Sequence, residues 1–234
     1  MCTRFAVCAI IVATLAPVGC SPNGTPPDAD RPSGTGRSAV SETSAVTETS
    51  ADTLLLVGGP ITRDSDEVAL QRIFGNANVR QERIQIGEGE TLPGTVLFPD
   101  DSTRQLMILW SDTVRRRVPS RLILRGESSR WSVPPGISLG TTLERLEKLN
   151  GRPFELAGFG WDYSGIVIDW RGGSLAAPAR NAYVYLLPPR STYSTPAYTL
   201  VLGDKSYASN LAAMRALRPA VYQIFYDFPK RPPL

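Results

Sequence analysis

The sequence predicts an α+β fold in which short helices pack on one face of a mainly antiparallel sheet. Two short segments carry apolar residues at helical spacing, and each ends at a glycine, Gly75 or Gly151. Most of the chain after residue 53 consists of short apolar runs between turn residues, which is typical of strands. Because all three cysteines precede residue 21, we expect a hydrophobic core rather than disulfides to stabilise the fold.

The first half of this region begins with a predicted strand and a predicted helix. Residues 54–57 are apolar and precede a Gly-Gly-Pro turn. Asp64 or Ser65 is expected to cap the helix, because a side-chain oxygen there accepts a hydrogen bond from a free backbone N–H. The apolar stripe of this helix is Val68, Leu70, Ile73 and Phe74, before the stop at Gly75. Strands are predicted next at residues 80–86, 95–98, 106–110 and 121–125.

The second half has a similar order of elements. Three leucines at a spacing of three predict a helix that Thr141 or Thr142 caps and Gly151 ends. Ser209 is expected to cap a further short helix that extends to Leu217. Strands are predicted at residues 153–163, 166–170, 181–187, 199–202 and 221–228, the last as a buried edge of the sheet. The similar order suggests the hypothesis of two tandem helix-plus-meander units, 53–130 and 131–234.

The first twenty residues have the pattern of an export signal. Arg4 provides a positive charge, residues 5–16 are almost entirely apolar, and Pro17 and Gly19 precede Cys20. This ending resembles the lipobox of bacterial lipoproteins, in which a signal peptidase cuts before a cysteine that becomes diacylated. The resemblance implies a signal peptide at residues 1–19 and a lipid-bearing Cys20. Ser21 is not the Asp that retains such proteins at the inner membrane, so an outer-membrane location, on the periplasmic side, is expected in a Gram-negative cell.

Residues 20–52 are predicted to be a disordered, lipidated tether. Apart from Cys20, this segment is rich in Ser, Thr, Pro and Gly and contains no aromatic residue, Leu or Ile. It cannot bury enough apolar surface to offset its conformational entropy. Residues 53–234 would then form a head that keeps 22 basic and 17 acidic residues, a net charge of +5.

The element order also resembles known folds. A helix followed by a strand meander, on a protein with a lipoprotein leader, is similar to the beta-lactamase-inhibitor-protein fold. It is also similar to the small lipoprotein of the outer-membrane assembly machinery, and residues 136–173 look like segments of uncharacterised bacterial lipoproteins. These resemblances rest on element order and the leader, and they assign no residue a role and add no function.

Composition argues against most catalytic chemistry. The chain has no histidine, which removes the usual general base near neutral pH and the commonest metal ligand. The head has no cysteine, and no Gly-rich loop is followed by a lysine in the pattern of a phosphate-binding loop. We therefore expect no cofactor, no metal and no enzymatic activity. Nucleic acid is not an expected partner, because basic residues are mixed with acidic ones.

The densest local feature is a predicted aromatic hairpin. Trp161, Asp162 and Tyr163 precede its turn, and Trp170 ends its second strand. One interpretation is a platform on which these rings stack on sugar or anchor a partner, with Asp162 orienting the ligand. A second is a carboxylate pair, Asp162 and Asp169 with Glu155, that acts on a glycan. The structural alternative is that the aromatic side chains fill the core.

A run of three arginines forms a candidate basic patch. Arg115, Arg116 and Arg117 would contact anionic lipid, polysaccharide or an acidic partner in the functional interpretation. In the structural interpretation they lie on a solvated strand or loop.

The sequence thus predicts a lipoprotein of the bacterial cell envelope, anchored to a membrane through Cys20, with a non-catalytic head. The leading hypothesis is a head that binds or scaffolds an envelope protein and exposes an apolar patch. The alternative is a head that binds or cleaves glycan through the Trp161, Asp162 and Tyr163 hairpin.

Overall fold

The computed structural model describes residues 54–55 and 59–229, so the signal peptide and tether predicted for residues 1–52 lie outside the described residues. The strands are β1 Leu54–Leu55, β2 Val79–Gly87, β3 Glu90–Leu97, β4 Leu106–Asp112, β5 Arg117–Arg125, β6 Trp131–Ser132, β7 Glu155–Ala157, β8 Val167–Asp169, β9 Ala182–Leu187, β10 Ser206–Ala208 and β11 Ala220–Asp227. The helices are α1 Glu67–Phe74, α2 Leu143–Asn150, α3 Pro196–Leu200 and α4 Ala212–Leu217, with 3-10 turns at Asn76–Asn78 and Arg190–Thr192.

Six strands form one antiparallel sheet in the order β2-β3-β4-β5-β11-β9. A smaller antiparallel sheet has the order β10-β7-β8, and β1 pairs in parallel with β6. The predicted α+β class is therefore confirmed. The strand at residues 221–228 was predicted to be an edge, which is wrong, because β11 is bonded on both sides, to β5 and to β9.

The two halves of the head do not form separate sheets. The first half has the expected helix and four-strand meander, α1 followed by β2 to β5. The second half differs from the expected second meander, since β9 and β11 join the large sheet while β7, β8 and β10 form the small one. The described residues accordingly belong to one compact unit.

The main core lies between one face of the large sheet and the four helices. The sheet contributes fully buried residues from five of its strands: Leu97, Ile108, Leu122, Val184 and Ile224. The helices contribute Leu70, Leu146, Tyr198 and Met214 to the same cluster. Full burial of each such aliphatic side chain stabilises the fold by about 1.5–3 kcal/mol.

Helix α1 begins one or two residues later than predicted. Asp66 is the cap, and its Oδ1 accepts a hydrogen bond of 2.7 Å from the backbone N–H of Ala69. Ser65 instead closes the preceding turn, where its Oγ accepts from the N–H of Thr62. Val68 and Ile73 are half-exposed because this short helix reaches the core only through Leu70 and Phe74.

Helix α2 follows the prediction closely. Thr142 caps it, with its Oγ1 accepting from the N–H of Arg145, and Gly151 ends it in the left-handed conformation. A glycine at this position adopts a φ of 73° without the steric cost that a Cβ would impose.

Three predictions in the second half are wrong. The strand predicted at residues 153–163 ends at Ala157, and the backbone of Phe159 instead forms hydrogen bonds with Val201 and Gly203. Residues 199–202 are not a strand, since Thr195 caps α3 and Pro196 occupies its first turn. Ser209 does not cap α4, because its Oγ accepts from the N–H of Phe154 and donates to a carboxylate of α2.

Candidate functional site

The face of the large sheet opposite the helices is the most distinctive surface of the head. Its side chains alternate with the core residues along each strand. Four of them, Ile84, Val96, Leu109 and Ile123, form a second buried cluster that contains no helix residue. We call this surface the open face; it comprises, by strand register, Arg80, Glu82, Ile84, Ile86, Leu92, Val96, Met107, Leu109, Arg121, Ile123, Arg125, Tyr183, Tyr185, Gln223, Phe225 and Asp227.

A close approach between β2 and β3 shapes this face. A Cβ on Gly94 would lie 2.6 Å from the carbonyl oxygen of Ile108 and would also overlap the side chain of Ile84. The missing side chain therefore allows Ile84 to lie flat across β3. This packing explains how Ile84 is almost fully buried on a face that has no helix against it in the described part of the chain.

One end of the open face carries a mostly apolar cavity of about 660 Å³, which we call groove 1. Its apolar lining includes Ile86, Leu92, Leu109, Val118 and Phe228. At its side, Arg121 donates two hydrogen bonds of 2.5 and 2.7 Å to the carboxylate of Asp227. This bidentate pair raises the pKa of Arg121 above its ordinary value and leaves neither charge free.

Groove 2 adjoins groove 1 at Ile86 and encloses about 430 Å³. Its aromatic lining consists of Tyr163, Tyr185, Tyr222 and Phe225. Its polar lining consists of Glu88, Glu90, Arg125, Asp162 and Gln223. Groove 2 therefore combines rings with hydrogen-bond donors and acceptors, whereas groove 1 is largely hydrocarbon.

Two arginines and the aromatic rings form a connected band between the grooves. The guanidinium groups of Arg121 and Arg125 lie 5.1 and 5.5 Å from the ring centre of Phe225, and Arg121 lies 5.9 Å from that of Tyr183. Tyr185 contacts Phe225 edge to face, at 5.5 Å between centres. These cation–π and edge contacts hold the side chains in place at the surface.

The titratable groups of groove 2 are partly removed from water. Burial raises the pKa of Tyr185 and of Tyr222 above their ordinary values, because it disfavours the charged phenolate. Burial lowers the pKa of Arg125, whose side chain is paired with an amide and a carbonyl rather than with a carboxylate. Groove 2 thus holds a desolvated cation without a neutralising partner among the described residues.

The structure brings only part of the predicted aromatic platform together. Trp161 packs edge to face on Tyr163 at 5.5 Å, and Tyr163 is 58 % exposed and lines groove 2 together with Asp162. Trp170 is only 9 % exposed and packs on Phe154 in the main core. Trp170 therefore belongs to the structural alternative, while Asp162 and Tyr163 lie at a groove.

The predicted carboxylate pair is also divided. Asp169 and Glu155 face each other across β7 and β8, and both interact with the guanidinium of Arg171. Asp162 lines groove 2 instead.

The three-arginine run lies at the turn between β4 and β5, and each guanidinium faces a carboxylate. Arg115 lies 3.6 Å from Asp112, and Arg117 lies 4.0 Å from Asp66. Arg116 donates a hydrogen bond of 2.9 Å to Glu67, which is only 7 % exposed. These pairs favour the structural interpretation, in which the run attaches the turn to the start of α1.

Searches of the described residues found neither a metal site nor a membrane span. No group of three or more His, Cys, Asp or Glu side chains within them is placed to hold a metal ion. No helix in this part of the chain is long and apolar enough to cross a membrane. Comparisons with protein-family models, with curated proteins and with solved structures found no match to the chain.

The sequence analysis missed the open face, although the sequence carries a signal for it. Residues 106–110 of β4 are apolar at all five positions. A strand that is apolar on both sides is typically buried on both faces of its sheet. Because the described helices pack on one face of the large sheet only, the apolar side chains of β4 on the other face form a surface without a helix against it.

Proposed function

We propose that this protein is an envelope-anchored lipoprotein whose head binds a protein partner through the open face. The observation that carries the proposal is groove 1, an apolar cavity on a sheet face that none of the described helices covers. The lipid anchor at Cys20 remains a proposal from the sequence pattern alone.

The composition of the open face supports a protein partner. It presents Tyr, Phe, Met and Arg side chains and contains no lysine. Protein interfaces are enriched in these four residue types and depleted in lysine. Leu92, Val118, Tyr163 and Tyr183 are exposed large apolar residues that lie on or beside this face.

The charges of groove 1 indicate the chemistry of the partner. Two basic residues, Arg63 and Arg121, and two acidic ones, Asp64 and Asp227, line it, so its net charge is zero. A charged partner segment would gain no net electrostatic attraction there. An apolar side chain would stabilise the complex by about 25 cal/mol for each Å² of apolar surface that it removes from water. The partner is therefore a protein that presents an apolar segment.

A non-catalytic role is consistent with the absence of histidine from the sequence and with the pairing of Asp169 and Glu155 to Arg171. The open face offers shape and hydrocarbon rather than an activated nucleophile.

Site-specific photo-crosslinking in the producing bacterium tests the proposal. Benzoylphenylalanine replaces Leu92 or Val118 in groove 1, and in control strains it replaces Val114 or Leu200. The controls are 84 % and 68 % exposed, against 42 % and 44 % for the groove positions, so a missing control adduct does not reflect poor access. We expect one discrete adduct from both groove positions and none from the controls.

The adduct from position 118 should also fall at least about fivefold when Leu92 is changed to Asp, because a charge replaces hydrocarbon in the groove. Equal adduct yields at groove and control positions would contradict the proposal. So would the absence of any adduct, or an adduct of two copies of this chain.

A further inference from the structure

Groove 2 has a polar lining that an apolar segment of a protein partner would leave without hydrogen bonds. Tyr185 is only 8 % exposed, and its ring packs between Tyr222 and Phe225 at 6.4 and 5.5 Å. Its hydroxyl has no hydrogen-bond partner among the described residues. Every fully buried side-chain N or O atom in this part of the chain has a partner, so the hydroxyl of Tyr185 must be in contact with solvent. A deeply set tyrosine with an open hydroxyl is equipped to bond a ligand in the groove it lines.

Arg125 supplies further donors beside this hydroxyl. Its Nε donates to Gln223 at 2.7 Å, and its Nη1 donates to the carbonyl of Gln85 at 3.0 Å. A guanidinium has five N–H donors, so three remain without a partner among the described residues. The floor of groove 2 is therefore rich in donors.

The rim of the same groove is rich in acceptors. Glu88, Glu90 and Asp162 are exposed there, and none of them forms an ion pair within the described part of the chain. Together with Arg125, these carboxylates give the groove a net charge of −2, which disfavours an anionic ligand.

We propose that groove 2 binds a neutral or amino-bearing saccharide. A sugar ring has an apolar C–H face that stacks on an aromatic ring, and hydroxyls that both donate and accept. Exposed Tyr163, supported by Trp161, provides the ring surface, the rim carboxylates accept from hydroxyls, and Arg125 and Tyr185 donate to ring or hydroxyl oxygens. The volume of about 430 Å³ lies within the roughly 300–1,000 Å³ of small-ligand sites.

This inference does not depend on the protein partner of groove 1. A hydrocarbon segment would leave the donors and acceptors of groove 2 unpaired, whereas a polyhydroxylated ligand satisfies both. The head would then join a protein and a glycan side by side on one sheet face.

The test uses the full chain in detergent on an array of neutral, amino-bearing and acidic oligosaccharides, followed by calorimetric titration with the best-retained one. We expect retention of a neutral or amino-bearing saccharide. Tyr185→Phe keeps the ring and removes the hydroxyl, so it should weaken binding about fivefold, the effect of one hydrogen bond. Tyr193→Phe is the matched control, since Tyr193 stacks on Tyr198 and lines neither groove, and the affinity of this variant should not change.

Asp162→Asn is a second variant, at an exposed rim position outside both core clusters, and it should weaken binding by a similar factor. Retention of no saccharide, or of acidic ones only, would overturn the proposal, as would affinities that neither Tyr185→Phe nor Asp162→Asn changes. The crosslinks from Leu92 and Val118 should persist in Tyr185→Phe, which separates failure here from failure of the proposed function.

Discussion

Arg116 and Arg115 are neighbours with the same side chain and opposite roles, and this contrast gives a sharp prediction. Arg116 pairs with buried Glu67, whereas Arg115 is largely exposed and pairs only with Asp112. Glu67 also accepts hydrogen bonds of 2.6 Å from Gln81 and from the hydroxyl of Thr95. We expect Arg116→Ala to destabilise the fold strongly and Arg115→Ala to leave it nearly unchanged.

The expected loss in the free energy of unfolding follows from how deeply Arg116 and Glu67 are buried. Removing one member of a fully buried ion pair costs about 3–5 kcal/mol, because the other charge is left unpaired. The side chain of Arg116 is 31 % exposed, so water partly replaces it, and its loss should cost about 2–3 kcal/mol. For a domain of this size, that corresponds to a fall in Tm of about 4–12 °C. Arg115→Ala should stay within about 0.5 kcal/mol.

Urea unfolding of the full chain, followed by tryptophan fluorescence, measures both variants. The Glu67→Gln background provides a second comparison, because the amide carries no charge that needs a cation. There, Arg116→Ala should cost only about 1 kcal/mol. Equal effects of Arg115→Ala and Arg116→Ala, or an undiminished cost in the Glu67→Gln background, would refute the buried pair.

Three further predictions concern the open face and the leader. Gly94→Ala should lower the free energy of unfolding by about 1–3 kcal/mol, measured by urea unfolding, because its Cβ would overlap Ile84 and a β4 carbonyl oxygen. Burial raises the pKa of Tyr185 and Tyr222, so their contribution to stability is complete below about pH 10 and is lost as pH rises through their folded-state pKa values. In thermal melts over that pH range, the variant with Phe at both positions should therefore lose less stability than the native protein. Radiolabelled palmitate should enter the native protein and not the Cys20→Ser variant.

Local sequence rules predicted the elements that local chemistry determines. The α2 helix matched its prediction because its cap and its stop are both set by adjacent residues, Thr142 and Gly151. Prediction failed where a distant segment decides the conformation. Phe159 exchanges backbone hydrogen bonds with Val201 and Gly203, more than forty positions away, and the predicted strand does not continue to Tyr163. Position 199 was predicted to lie in a strand, and the proline at position 196 favoured the helix.

The candidate site was harder to predict because periodicity says which side chains share a face, but not what covers that face. Met107 and Leu109 point away from Ile108, and the sequence predicts only that both sides of β4 are apolar. The position of β11 between β5 and β9 adds Phe225 and Asp227 to this face, and its pairing with β5 joins residues about one hundred positions apart. An antiparallel strand that is apolar on both sides, where the described helices all pack on one side of the sheet, therefore indicates a second apolar surface on the other side. In this head, that criterion selects the open face and explains why the aromatic hairpin alone did not define the site.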